Sequence, residues 1–165
     1  MSDLVIRPAT AGDGELLANL IRELAVYEKL EHEARATPEA IERWLFGGRP
    51  MAEAIVAEVG GEAAGFALYF HNFSTFRGQP GIYLEDLFVK TEFRGRGVGK
   101  ALLARLAGLA VERGCGRMEW AVLDWNEPAI GFYQSIGARP MEEWTVYRLD
   151  EGALAALASQ GAGGS

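Results

Sequence analysis

The chain has 165 residues, 49% of them hydrophobic, and a formal net charge of −7. That length supports one domain with a real core, burying roughly 70% of its unfolded surface, and no apolar run approaches the roughly 20 residues of a membrane span. The acidic balance argues against a nucleic-acid partner, which needs a basic footprint, and agrees with a cationic substrate.

Residues 4–7 read as a short strand. Residues 13–29 read as a helix, because Leu16, Leu17, Leu20, Ile21, Leu24 and Tyr27 recur at helical spacing and Asp13 can cap its start. Thr37-Pro38-Glu39 is a cap followed by proline at the first helical position, and Gly47-Gly48 ends that second helix near Phe46. Residues 53–59 and 63–71 read as strands joined by a Gly60-Gly61 hairpin turn, and residues 72–81 as a polar, glycine-bearing loop. Residues 82–89 form an apolar strand with two acids inside it. A glycine loop and an amphipathic helix follow, with Val98, Leu102, Leu106, Leu109 and Ala110 on one face and Gly114 and Gly116 closing it. Residues 117–123 read as a strand, 126–136 as a helix ended by Gly137, 142–149 as a last strand, and an Ala/Leu helix follows. Strands and helices alternate only in part, which predicts an α+β fold: a mixed sheet with helices on its faces. We expect one domain over residues 1–160 and a disordered glycine-rich tail over 161–165. Cys115 is the sole cysteine, so no intrachain disulfide forms. The start M-S-D-L-V-I-R has no signal-peptide pattern, which makes the cytoplasm the expected location.

The densest information lies in residues 83–99, Y-L-E-D-L-F-V-K-T-E-F-R-G-R-G-V-G. Glycines let backbone approach a ligand, and a helix start presents unpaired N–H groups and partial positive charge. With Arg94 and Arg96 beside them, Gly95, Gly97 and Gly99 make a cradle for a pyrophosphate. The loop is neither a Walker A loop nor a dinucleotide fingerprint, since no G-K-[ST] follows and Lys100 stands at the third glycine position of G-x-G-x-x-G. A plain strand-to-helix connection is the competing explanation. Glu85 and Asp86 are adjacent on a strand, so they face opposite sides of the sheet unless a bulge turns both inward. Either is otherwise a solvent-facing or ion-paired carboxylate. Asn126 can cap the helix behind it or give its amide to a cofactor, and Tyr133, two turns along the same face, is by spacing alone a core residue with a polar tip. His32, His71 and Cys115 do not have metal-ligand spacing, so no metal is expected.

R-G-R-G-V-G before a helix resembles the R/Q-x-x-G-x-G/A acetyl-CoA loop of the GNAT superfamily of N-acetyltransferases. N-E-P-A-I-G-F-Y-x-x-x-G-A, residues 126–138, looks like that superfamily's downstream helix. V-I-R-P-A-T, Y-E, Y-L-E-D-L-F-V and W-N-E-P-A-I-G-F-Y together resemble the diamine (spermidine/spermine) acetyltransferase family over residues 5–149. H-N-F-S-T-F-R-G and A-V-L-D-W-N look closer to its thialysine acetyltransferase branch.

The resemblance implies a mostly antiparallel central sheet and transfer of acetyl from acetyl-CoA to a primary amine of a small cationic molecule. The attack would be direct, in a ternary complex. Arg94, Gly95, Arg96, Gly97, Val98, Gly99 and Lys100 would hold the pyrophosphate. Leu87, Phe88 and Val89 would pair with the pantetheine arm, with a bulge there aiming an N–H at the thioester oxygen. Asn126, Pro128 and Ala129 would contact the cofactor further along, and Tyr133 would protonate the departing thiolate. Tyr27, Glu28, Glu85 and Asp86 would line the amine pocket, closed by Glu142 or Glu143 and by Trp144. The chain lacks the family's Glu-Gly-Trp near Pro140-Met141, and the choice between Glu142 and Glu143 stays open. A homodimer is implied too.

The chemistry supports an acid at this point. An alkylamine of pKa about 10.4 is neutral in only roughly one molecule in 10³ at neutral pH, and only the neutral amine attacks a thioester. A carboxylate must therefore bind the cation and let its proton go; the expected residue is Glu85. Other acceptors (an amino acid, a drug, a protein N-terminus) and a non-catalytic acetyl-CoA sensor are the alternatives.

Overall fold

The fold, obtained as a computed structural model, is described for residues 3–163. Residue contacts divide the chain into two compact units, Met1–Ala121 and Val122–Ser165.

The first unit holds the whole sheet. Its strands are β1 (Leu4–Pro8), β2 (Glu53–Val59), β3 (Glu62–Ser74), β4 (Gln79–Val89) and β5 (Met118–Glu119), ordered β1-β2-β3-β4-β5. The first three pairings are antiparallel and the last is parallel. Gly60 and Gly61 both have positive φ, 60° and 82°, the requirement of the tight turn that matches strand twist. The expected loop at 72–81 is largely strand: β3 and β4 pair out to Ser74↔Gln79, because the backbone ladder tolerates polar side chains on a solvated face. The expected strand at 117–123 shrinks to Met118 and Glu119, which pair with Ile82 and Tyr83.

Alternation along the strands builds two cores. Ala54, Val56, Phe66 and Phe88 pack with Leu17, Leu20, Leu24, Ile41 and Leu45 of α1 (Gly14–Tyr27) and α2 (Pro38–Phe46). Their sequence neighbours Ile55, Ala57 and Ala67 are equally buried and point to the opposite face. There α3 (Val98–Glu112) crosses β1 to β4 and buries Val98, Leu102, Leu103, Leu106 and Ala110.

Thr37 caps α2 as expected, its Oγ1 accepting from the Ala40 N–H at 3.1 Å. Asp13 does not cap α1 with its side chain. Its carboxylate is taken by Arg7 at 2.8 Å and by the Thr10 N–H at 2.8 Å, a competition that a sequence pattern cannot show. Glu42 of α2 serves α1 instead, accepting from the Gly12 and Gly14 N–H groups at 3.0 and 2.7 Å.

The second unit contains α4 (Glu127–Ser135) and α5 (Glu151–Gly163). The strand expected at 142–149 is not formed; these residues carry no regular structure and are exposed. Gly161–Gly163 of the expected disordered tail belong to α5, while Gly164 and Ser165 lie outside the described residues.

Candidate active site

The first unit brings Glu28, Glu85 and Asp86 together through two local devices. One is a bulge. Cross-strand pairs run Phe66↔Phe88, Ala67↔Leu87 and Leu68↔Asp86, then jump to Tyr69↔Leu84. Glu85 is the extra residue, opposed by nothing. A bulge shifts the pleat by one residue, so Leu84 and Asp86 no longer share a face. Leu84 lies opposite Tyr69, whereas Asp86 lies with Phe66, Leu68 and Phe88 on the face covered by α1. The expected bulge therefore exists, but it centres on Glu85, ahead of Leu87–Val89, and it acts on the acids.

The other device is the end of α1. Lys29 has φ 61°, a left-handed turn that few non-glycine residues adopt. The Lys29 N–H bonds the Val26 carbonyl at 3.1 Å and the Leu30 N–H bonds the Ala25 carbonyl at 2.8 Å, the paired bonds of a Schellman ending. This fixes Glu28 as the C-cap, with Tyr27 as the last helical residue. An acid at a helix C-terminus opposes the helix dipole; residues placed against such a local rule mark functional sites.

The three acids interact. Asp86 is pushed up to about 7, first by burial and then by the charges of Glu85 and Glu28. Burial also raises Glu28. Glu85 itself is exposed; the neighbouring Tyr83 is raised first by burial and then by the charges of Glu85 and Glu119. Two cations nearby are committed elsewhere. The Arg94 guanidinium lies 4.3 Å from the Tyr27 ring centroid and 5.6 Å from that of Phe88, and its Nε donates to the Val89 carbonyl at 2.9 Å. Lys90 Nζ lies 3.8 Å from Glu23 Oε2. The acidic group keeps an excess of negative charge at the end of β4.

The glycine loop adjoins it. Gly95 and Gly97 have φ of 77° and 79°, and a Cβ on either would meet nothing within 4 Å, so both backbones are open to approach. Gly97 is the N-cap of α3, and the first intrahelical bond runs from the Ala101 N–H to the Gly97 carbonyl at 3.0 Å. The amides of Val98, Gly99 and Lys100 precede it and have no acceptor within the helix. The first turn carries no acid, while Arg94, Arg96 and Lys100 bring positive charge. This donor set fits a pyrophosphate. Beyond Tyr83 the outer edge of β4 has no strand pairing among the described residues. The Val89 carbonyl at that edge is the one Arg94 takes. An extended amide chain can pair there as a further strand would.

In the second unit, Asn126 is buried and caps α4, its Oδ1 accepting from the Ala129 N–H at 3.4 Å. Pro128 stands in the first turn. Tyr133 is half-buried on α4, its ring 5.8 Å from that of Phe132. Glu142, Glu143 and Trp144 lie in an exposed turn held by a Trp144 N–H bond to the Met141 carbonyl at 3.2 Å. Among the described residues no group of three His, Cys, Asp or Glu side chains could hold a metal, and no helix is long and apolar enough to cross a membrane.

Sequence reasoning did not foresee the Lys29 turn, the Glu42 cap or the role of Arg94. The Glu42 cap is tertiary, and for the Lys29 turn only the run Y-E-K-L offered a hint of a helix end.

Comparison with known proteins places these features in a family. Residues 17–138 match the model of the acetyltransferase (GNAT) family. A thialysine N-epsilon-acetyltransferase of Bos taurus is 37% identical, covering 97% of this chain and 100% of its own length. An L-ornithine N5-acetyltransferase of Arabidopsis thaliana is 32% identical over 92% of this chain and 86% of the relative. Among solved structures, an integron cassette protein from the mobile metagenome of V. cholerae superposes with a TM-score of 0.81 at 28% identity, covering 94% of this chain and 98% of that one. The mostly antiparallel sheet, the glycine loop at the start of α3 and these likenesses agree: the chain belongs to the acetyltransferase (GNAT) family.

Proposed function

We propose that this acetyltransferase uses acetyl-CoA and acetylates a primary amine of a small cationic molecule, a short diamine or a thialysine-like amino acid. The observation that carries the reading is the end of β4. There a bulge sets an acidic group beside α1, and the same strand runs into the donor-rich start of α3. Acetyl-CoA supplies an activated acetyl thioester. Residues 94–100 bind its pyrophosphate, and Leu87, Phe88 and Val89 offer backbone groups to its arm. The Val89 carbonyl becomes available once the Arg94 guanidinium swings away. Glu28, Glu85 and Asp86 attract and orient the ammonium, with Tyr27 as a wall.

The remaining roles rest on the family resemblance. Tyr133 gives its proton to the departing sulfur, and Asn126, Pro128 and Ala129 touch the cofactor. Trp144 and one of Glu142 and Glu143 close the amine pocket. In the same reading residues 1–160 make a single acetyltransferase domain, the protein is a homodimer, and it works in the cytoplasm.

A free-thiol release assay with acetyl-CoA and a panel of amines tests the function. We expect turnover with thialysine, ornithine and short diamines, and little with neutral or anionic acceptors. A neutral or anionic best acceptor would refute the substrate class. Acetyl-CoA binding without turnover across the panel would point to a sensor.

A further inference from the structure

We infer that Asp86, rather than the adjacent Glu85, takes the proton from the attacking amine, because Asp86 lies in line with Phe88 on the α1-covered face of β4 while Glu85 is the exposed, unpaired residue of the bulge. The inference rests on the proposed amine acetylation and deepens it. The register shift separates the environments of the two acids. Glu85 becomes the unpaired, exposed residue, and Asp86 sits opposite Leu68 in line with Phe66 and Phe88. The Asp86 position combines partial shelter from water with the influence of Glu28 at the end of α1.

The surroundings of Asp86 suit the task. The charged groups that act on it are Glu85 on its own strand and Glu28 at the C-cap of α1, both negative. Nearby Arg94 is held by the Tyr27 and Phe88 rings and the Val89 carbonyl, and Lys90 by Glu23. An ordinary carboxylate loses the competition for an alkylammonium proton by a factor of about 10⁶ to 10⁷. An acceptor near 7, where burial and the two acids push Asp86, loses by only about 10³ to 10⁴. Glu85 and Glu28 thus have a second use beyond attraction, since their charges make Asp86 a stronger base.

The step balances. The bound ammonium passes one proton to the Asp86 carboxylate and keeps the freed electron pair on nitrogen. That pair forms the N–C bond to the acetyl carbon as the C–S bond breaks and its electrons leave on sulfur. The second ammonium proton ends on the departing sulfur, and Asp86 releases its own to water. The products are an N-acetyl amine, a free thiol and one proton.

The test is the pH dependence of kcat/KM for Asp86→Asn, Asp86→Glu and Glu85→Gln, with circular dichroism to show that each variant folds. In the wild-type protein Asp86 must be ionised, so kcat/KM should fall as pH drops through about 7. Glu85→Gln removes a neighbouring negative charge and should move that limb to lower pH. Asp86→Asn should abolish the limb and lower turnover by about 10² to 10⁴, and Asp86→Glu should restore the limb in part. A limb that survives in Asp86→Asn, or that vanishes in Glu85→Gln, overturns the assignment. Carboxyl carbon NMR of Asp86 in the wild-type protein gives an answer independent of turnover. A midpoint near 7 supports the inference, and one near 4 defeats it. Failure of the wild-type protein to acetylate any amine would instead defeat the functional reading on which it rests.

Discussion

Replacing Asp86 with asparagine should make the protein more stable at pH 8. The folded state binds a proton on Asp86 with a pKa of about 7, against an ordinary 3.8 for the unfolded chain. Between those values folding takes up a proton, so this group's contribution to stability falls as pH rises from about 4 to about 7 and stays level above. At about 1.36 kcal/mol per pH unit the full displacement corresponds to roughly 4 kcal/mol. Asp86 keeps some solvent access and its two acidic neighbours can relax, so about 1–3 kcal/mol is the expected gain on removing the charge. The amide has nearly the same shape, so packing is preserved. For a chain of this size that gain raises Tm by roughly 3–10 °C. Thermal unfolding followed by circular dichroism at pH 5, 6, 7 and 8 measures it. The difference between variant and wild type should grow with pH and shrink toward zero at about pH 4–5. A variant less stable than wild type at pH 8, or a difference that does not change with pH, would refute the reasoning.

Other expectations concern the glycine loop, α4 and the α1 cap. Gly97→Val places a β-branched residue at φ 79° and a side chain on open backbone, so calorimetry should show acetyl-CoA affinity reduced at least tenfold with the fold retained; unchanged affinity would exclude the loop as the binding site. Tyr133→Phe should leave cofactor binding intact and reduce turnover by roughly 10² to 10⁴; wild-type turnover would make Tyr133 a packing residue. Glu42→Gln weakens the acceptor that serves the Gly12 and Gly14 N–H groups and should cost about 0.5–2 kcal/mol in urea unfolding, without changing KM for the amine.

Local chemistry made much of the fold legible. The Thr37-Pro38 start, the Gly60-Gly61 turn and the stripe of α3 depend on residues a few positions apart, and all three form where the spacing puts them. Misreadings arose where a partner far along the chain decides. Residues 117–123 and 142–149 have strand-like composition, yet a strand needs a neighbour, and only Met118 and Glu119 pair. Asn72, Ser74 and Gln79 look like loop residues, yet the β3–β4 ladder carries them. The candidate site divides in the same way. The open, left-handed backbone at Gly95 and Gly97 was legible because that conformation follows from glycine itself. The sequence showed two adjacent acids on a strand and the possibility of a bulge, but not that the bulge falls at Glu85 and leaves Asp86 in line with Phe88. Burial of Asp86 and the Arg94 contacts are tertiary facts with no local signature.

The outer edge of β4 beyond Tyr83, which no strand pairs among the described residues, has a consequence for how the protein behaves in a cell. Exposed strand edges are templates for other chains, and proteins that keep them guard against edge-to-edge aggregation, often with charge. Here the apolar run Leu87-Phe88-Val89 lies at such an edge, and the Arg94 side chain that folds back onto the Val89 carbonyl acts as its gatekeeper. A ligand that covers the edge would then protect the protein as well as feed the reaction. Depletion of that ligand would leave Arg94 as the guard on the Val89 carbonyl, and solubility would become sensitive to a residue otherwise assigned only to binding.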